Sequence, residues 1–280
     1  MTLPHLTLAQ APLTCEIDTV NEHGEHHAVS IPAERALTVY VDKRELVTLM
    51  TLGAHPELLV MGYLRNQRLV RKVEDIESIT VDWDVGAAAV KTRHGVADIE
   101  EKTSRRVVTT GCGQGSVFGG LMDEVDQIEL PPMASMTQSQ LYSLVNTIRV
   151  KETTYKSAGS VHACALFDTT ASEPEMLLFV EDVGRHNAID TIAGWMWMNP
   201  LKLASNDTQV FYTTGRLTSE MVIKSAQMGV PIVVSRSGIT QMGHQVAEAV
   251  GLCAIGRATN KRFLCYANAR RLKLEPGLAS

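Results

Sequence analysis

Two apolar runs, Ala36–Val41 and Leu46–Leu52, flank the polar triplet Asp42-Lys43-Arg44, a pattern that predicts a β-hairpin. His55-Pro56-Glu57 then opens a helix, with proline in its first turn and Leu58, Leu59, Gly62 and Tyr63 on one side. Ser78–Val85, Ala87–Arg93 and Arg105–Thr110 read as further strands, so the first part of the chain is sheet-rich with one main helix. Residues 1–15 read as an irregular lead. Beyond Pro131-Pro132 the period changes. Leu141, Leu144, Val145 and Ile148 fall at i, i+3, i+4 and i+7, an amphipathic helix started by Ser135 or Thr137.

Strands and helices then alternate. Val161–Phe167 and Met176–Val180 are predicted strands, and Arg185–Met198 is a helix with Ala188, Ile189, Ile192, Ala193 and Met196 inward. Val210–Thr214 (strand), Thr218–Met228 (helix capped by Thr218), Pro231–Ser235 (strand) and Thr240–Val250 (helix) follow, then strands Leu252–Ile255 and Arg262–Tyr266. Such alternation predicts a layered α/β sheet with crossover helices. The expected organisation is therefore a sheet-rich N-terminal lobe over 1–130 and a layered α/β lobe over 131–280.

The chain has 280 residues, enough for a full core, with 45% hydrophobic and 20% charged residues, which excludes disorder. A formal net charge of −5 argues against a general nucleic-acid binder, though local basic patches can still grip one phosphorylated molecule. No apolar run reaches the roughly 18–20 residues of a membrane span, and the N-terminal residues lack the basic head of a targeting segment. Five scattered cysteines, Cys15, Cys112, Cys164, Cys253 and Cys265, argue against a disulfide scaffold and contain no CxxC pair. A cytoplasmic location without membrane insertion is expected.

Four segments are candidates for chemistry. Thr110-Gly111-Cys112-Gly113-Gln114-Gly115-Ser116 sets a cysteine between glycines, where a sulfur can be presented without crowding and Arg105 or Arg106 could lower its pKa. A small buried cysteine in a tight turn fits the same loop. Cys164, Cys253 and Cys265 fall within strands, where core packing is the expected role. In Glu181–Asp190 a strand ends, Gly184 makes the turn, and Arg185, His186 and Asn187 open a helix. Open α/β sheets bind anionic ligands at this edge. Local pairing of Asp182 and Asp190 with Arg185 is the alternative. Thr213–Glu220 repeats the arrangement around Gly215 and Arg216, which suits a phosphate, or a plain helix cap. Between the last two strands, Gly256-Arg257-Ala258-Thr259-Asn260-Lys261-Arg262 reads either as a solvated turn or as a cationic rim over a phosphate or guanine.

In this order, the glycine loop around Cys112, GRHNAID, GRLTSEMVIKSAQMGVPIVVS and QVAEAVGLCAIGRATNKRFLCY resemble the FdhD family of formate dehydrogenase accessory sulfurtransferases. The resemblance runs through most of residues 36–267, with His55–Leu64 a looser match. It implies a cytidine deaminase-like fold for the second lobe and a homodimer. It also implies sulfur transfer from a cysteine desulfurase, as a persulfide on Cys112, to the molybdenum or tungsten bis(molybdopterin guanine dinucleotide) cofactor bound as substrate, before the cofactor enters the formate dehydrogenase catalytic subunit. The turn Arg257–Arg262 matches the family's cofactor-contacting turn, and GDP is the expected mimic of the cofactor's guanine end. No metal bound directly by protein side chains is expected.

Departures from the family pattern concern the ligand more than the fold. Most members carry CxxC in the loop, whereas the second position here is Gly115, so a persulfide on Cys112 cannot be resolved by a disulfide within the loop. Ile239-Thr240, Thr259-Asn260-Lys261 and Asn66-Gln67 also replace the usual family residues. A zinc deaminase is rejected, since His162-Ala163-Cys164 has cysteine where such enzymes need glutamate and no Pro-Cys-x-x-Cys follows. A chaperone that escorts the molybdenum cofactor without moving sulfur is the competing reading.

Overall fold

The computed structural model describes residues 2–96, 125–151, 154–203 and 205–278. The first sheet has the order β1-β6-β7-β4-β5, built from β1 (His5–Leu6), β4 (Arg35–Val41), β5 (Arg44–Thr51), β6 (Ile76–Asp82) and β7 (Ala87–Thr92). The predicted hairpin is β4–β5, turned by Asp42 and Lys43 at φ +46° and +73°, the left-handed region that a two-residue hairpin turn requires. The lead is less irregular than expected. His5–Leu6 pairs in parallel with β6, and the buried carboxylate of Glu57 fixes the following residues by accepting bonds from Thr7 Oγ1 and Ala9 N, each 2.7 Å. A separate hairpin joins β2 (Thr14–Val20) to β3 (His26–Pro32).

Helix α1 (Pro56–Asn66) buries Leu59, Val60, Met61 and Leu64 against the first sheet. Its opposite side is buried too, because α4 (Arg185–Met198) of the second half packs across it. A methyl group at Gly62 would sit 1.6 Å from the Asp190 carbonyl oxygen, and one at Gly194 2.0 Å from the Leu58 carbonyl oxygen. Two glycines facing each other's backbone let the helices approach to contact, and no side chain larger than hydrogen fits at either point.

The second sheet has the order β10-β9-β11-β12-β13-β14, made of β9 (His162–Asp168), β10 (Glu175–Asp182), β11 (Gln209–Thr213), β12 (Ile232–Ser235), β13 (Cys253–Thr259) and β14 (Arg262–Ala267). Its residues alternate between two cores. Leu166, Phe211, Val233 and Ala254 face α4, α5 (Ser219–Gln227) and α6 (Gln241–Val250). Phe167, Val210, Tyr212, Val234 and Ile255 face α2 (Gln138–Lys151), which the two-residue strand β8 (Met136–Thr137) precedes and the short helix α3 (Thr154–Ala158) follows. Burial on both sides explains why these strands read as continuous apolar runs. The α2 start resolves in favour of Thr137: its hydroxyl accepts from Gln140 N (3.2 Å) while Gln140 Oε1 accepts from Thr137 N (3.0 Å), a reciprocal capping box. Thr240 caps α6 by accepting from Gly243 N at 3.1 Å, whereas Thr218, at the N-cap of α5, makes no such bond. Among the described residues no helix is long and apolar enough to cross a membrane.

Candidate functional site

Strands β11, β12 and β13 run parallel, β9 runs antiparallel to β11, and β10 antiparallel to β9. The carboxyl ends of β10, β11, β12 and β13 therefore share one edge of the sheet, together with the amino end of β9. The turns at Gly184, Gly215 and Asn260 all leave from that edge, which is where open α/β sheets hold ligands. Backbone bonds stitch the turns together: Arg236 N to Thr213 O (3.0 Å), Leu217 N to Gly238 O (2.9 Å) and Arg257 N to Ser237 O (2.7 Å). Ser235 Oγ adds a bond to Gly215 O at 2.7 Å and accepts one from Ser237 N at 2.9 Å.

The edge carries a cationic group. Burial, then the charges of Arg185, Arg236 and Arg216, push the His162 imidazole below its ordinary pKa, so it is neutral among three guanidiniums. Gly215 makes room for Arg185: a methyl there would lie 3.0 Å from Arg185 Cδ. Arg236 stacks 5.3 Å over the ring of Tyr155. The fold thus brings Arg185 and Arg216 to one edge, together with His162 and Arg236. Ser235-Arg236-Ser237-Gly238 follows β12 in the same strand-then-turn form as Thr213–Arg216, and that recurrence was the available signal in the sequence.

The hairpin turn forms a second half of the site. Asn260 and Lys261 connect β13 to β14 with Asn260 at φ +53°, and Arg257 also takes a left-handed conformation at +51°. Arg257, Thr259, Lys261 and Arg262 line a cleft of about 890 Å³ whose other wall includes Tyr142 and Phe263. These two rings are tilted at 57° with centroids 6.2 Å apart. Cations beside aromatic walls suit a phosphorylated heterocycle. Ala258, by contrast, is buried in the α2-side core and offers no side chain to this cleft. Tyr142 and Phe263 were not singled out by motif, because their meeting depends on α2 crossing the end of the hairpin.

The Asp182–Asp190 motif behaves differently from the expectation of a phosphate turn. Only Arg185 reaches the edge. His186 is 2% exposed and faces Glu220 (3.5 Å), and burial, then Lys224, push its pKa down to about 2. Asp182 accepts from Thr51 Oγ1 (2.5 Å), Asn187 Nδ2 (2.9 Å) and the backbone of Leu52 and Gly184. Asp190 accepts from Asn66 Nδ2 (2.7 Å) and from Lys224 Nζ (2.9 Å), with both Asp190 and Lys224 wholly buried. Burial raises both carboxyls above their ordinary range, while these donors pull against it. The acids therefore tie the second half of the chain to β5 and α1, and neither pairs with Arg185 as the simpler alternative held.

Cys112 and the loop around it lie outside the described residues, as does the predicted strand Arg105–Thr110. Cys164 is fully buried on the sheet, and burial pushes its thiol up to about 12, consistent with the packing role expected of it. Cys253 and Cys265 meet on adjacent strands with their sulfurs 3.8 Å apart.

A solved structure from Desulfotalea psychrophila, provisionally described as a formate dehydrogenase accessory protein, matches this fold with a TM-score of 0.73 at 23% identity, covering 93% of this chain and 100% of that one. The chain is 31% identical over 260 residues to a protein of Bacillus subtilis named sulfur carrier protein FdhD, covering 90% of this chain and 94% of the relative. A protein of the same name from Bacillus pumilus is 27% identical over 263 residues, with 94% of each chain covered. The sequence profile of the FdhD/NarQ family matches residues 32–273, and the chain belongs to the FdhD/NarQ family.

Proposed function

We propose that this protein is a sulfur carrier that serves formate dehydrogenase. It takes sulfur from a cysteine desulfurase onto Cys112 and hands it to the molybdenum bis(molybdopterin guanine dinucleotide) cofactor before that cofactor is inserted. The observation that supports this reading best is the gathering of Arg185, Arg216 and Arg236 at one sheet edge, continuous through the Arg257–Ser237 bond with a cationic and aromatic cleft. Guanidiniums fit the pyrophosphate oxygens of a dinucleotide bidentately, and the Tyr142–Phe263 wall fits a guanine face. Loading Cys112 needs no change in overall oxidation state. Its thiolate attacks the terminal sulfur of the desulfurase persulfide, the new S–S bond forms, and the desulfurase thiolate leaves. On this reading the second half of the chain is the cofactor-binding lobe and the protein acts as a homodimer.

A chaperone that carries the cofactor without moving sulfur is the second reading, favoured by the single loop cysteine beside Gly115. Incubation with a desulfurase and cysteine, followed by mass spectrometry, separates the two. The expected result is one added sulfur atom on Cys112, absent in Cys112→Ala. If Cys112→Ala still yields fully active formate dehydrogenase in cells, sulfur transfer through this residue fails and the chaperone reading stands.

A further inference from the structure

The last two strands bring together a pair of thiols that core packing only half explains. Cys253, the first residue of β13, is buried. Cys265 on β14 is half-buried, and β14 is the edge strand of its sheet, so this sulfur is approached from the open side. Both side chains lie on the α2 side, with their sulfurs 3.8 Å apart. The ladder is irregular where they meet. Ala254 pairs with Ala267 and Ile255 with Cys265, which leaves Tyr266 as an extra residue in β14. A disulfide needs the sulfurs at about 2.05 Å, a closure of about 1.8 Å, and a bulge is where a ladder yields most easily.

The two thiols are not equivalent. The Cys253 thiol, donating to the Cys265 sulfur, holds Cys265 below its ordinary pKa against the opposing effect of burial. The same bond, then burial, pushes Cys253 up. Thiolates are the attacking species in disulfide exchange, so Cys265 attacks first and Cys253 second.

We propose that Cys253 and Cys265 form a dithiol site that reacts with a low-molecular-weight disulfide and closes into a cross-link across the hairpin that carries Arg257, Lys261 and Arg262. Cys265 attacks one sulfur of the small disulfide, a mixed disulfide forms, and one small thiolate leaves. Cys253 then attacks Cys265 Sγ and expels the second. Two electrons pass from the cysteines to the small disulfide, and the two cysteine protons end on the released thiols. Both cysteines are free in the structure, and reversible pairs of this kind are the form that disulfides take in a reducing compartment. The site uses neither Cys112 nor the sulfur-carrier reading.

The test treats native full-length protein with millimolar oxidised glutathione, then alkylates it and maps its peptides by mass spectrometry. The peptides bearing Cys253 and Cys265 should be joined, lighter by two hydrogens, and separated again by dithiothreitol. Cys253→Ser should trap glutathione on Cys265, whereas Cys265→Ser should leave Cys253 unmodified. Amide exchange over residues 256–263 should slow by about threefold or more in the cross-linked protein. A native wild type that stays unmodified, stops at a glutathione adduct, or cross-links only after unfolding in urea overturns the proposal, even if C253S fails to fold. Glutathione on Cys253 in C265S overturns the order of attack, and unchanged amide exchange overturns the hold on the hairpin.

Discussion

The first turn of α4 feeds two polar clusters with opposite fates. Arg185 points to the sheet edge, where it joins His162, Arg216 and Arg236. His186, Asn187 and Asp190 point inward, where His186 faces Glu220, Asn187 donates to Met50 O and Asp182, and Asp190 accepts from Asn66 and Lys224. In the interior cluster, carboxylates face an ammonium and amides at hydrogen-bonding distance. At the edge, cation stands beside cation. An interior cluster that neutralises itself serves folding, whereas guanidiniums gathered at a sheet edge can meet an anion from outside. The density of polar residues in a motif therefore says little until the sign and the surroundings of each are known.

The sharpest way to break the interior cluster is Lys224→Met. It leaves Asp190 buried with Asn66 as its remaining side-chain donor, and should cost about 3–5 kcal/mol in denaturant unfolding, the range for removing one partner of a buried pair. Adding Asp190→Leu should recover a large part of that loss, and a double variant no better than the single would count against the pair as described.

Acid should loosen the same cluster more gently. The folded His186 refuses a proton that the unfolded chain accepts near 6.5, so its contribution is full above that value and declines as pH falls through it. The loss between pH 7 and pH 5 should come to about 2 kcal/mol. His186→Gln should flatten the stability profile over that window, and an unchanged slope would remove His186 as its source.

At the edge the expected pattern reverses. Arg216→Ala should alter unfolding stability by no more than about 0.5 kcal/mol, as for an exposed residue. It should still weaken GDP binding by about tenfold, measured by thermal shift or calorimetry. A destabilised R216A with unaltered GDP affinity would erase the distinction between the two clusters.

Much of the architecture was legible in period and punctuation. The β4–β5 hairpin, α4, α5, α6 and the strands between them begin and end within a few residues of their predicted places, because apolar runs, caps and glycines act locally. The β2–β3 hairpin was not seen, since its strands are largely exposed and carry little apolar alternation. Nor did α1 show that both its faces are covered: the second face is closed by a helix that lies far along the chain. The same distance hid the roles of Thr51 and Asn66, which bond residues 131 and 124 positions away. At the site, the turns around Gly215 and Arg257–Arg262 were readable as strand ends, while the inward rotation of His186 depended on Glu220 and Lys224 from α5.

The crossing at Gly62 and Gly194 has a further meaning for the chain as a whole. Two helices from opposite halves touch backbone to backbone, flanked by Asn66–Asp190 and Thr51–Asp182. Severed at Pro131, each fragment would keep its own sheet but present a bare helix face with stranded carboxylates or amides beside it. The two sheets are therefore built to fold together, and a ligand that steadies the sheet edge through Arg185 would bear, through the same helix, on β5 and α1.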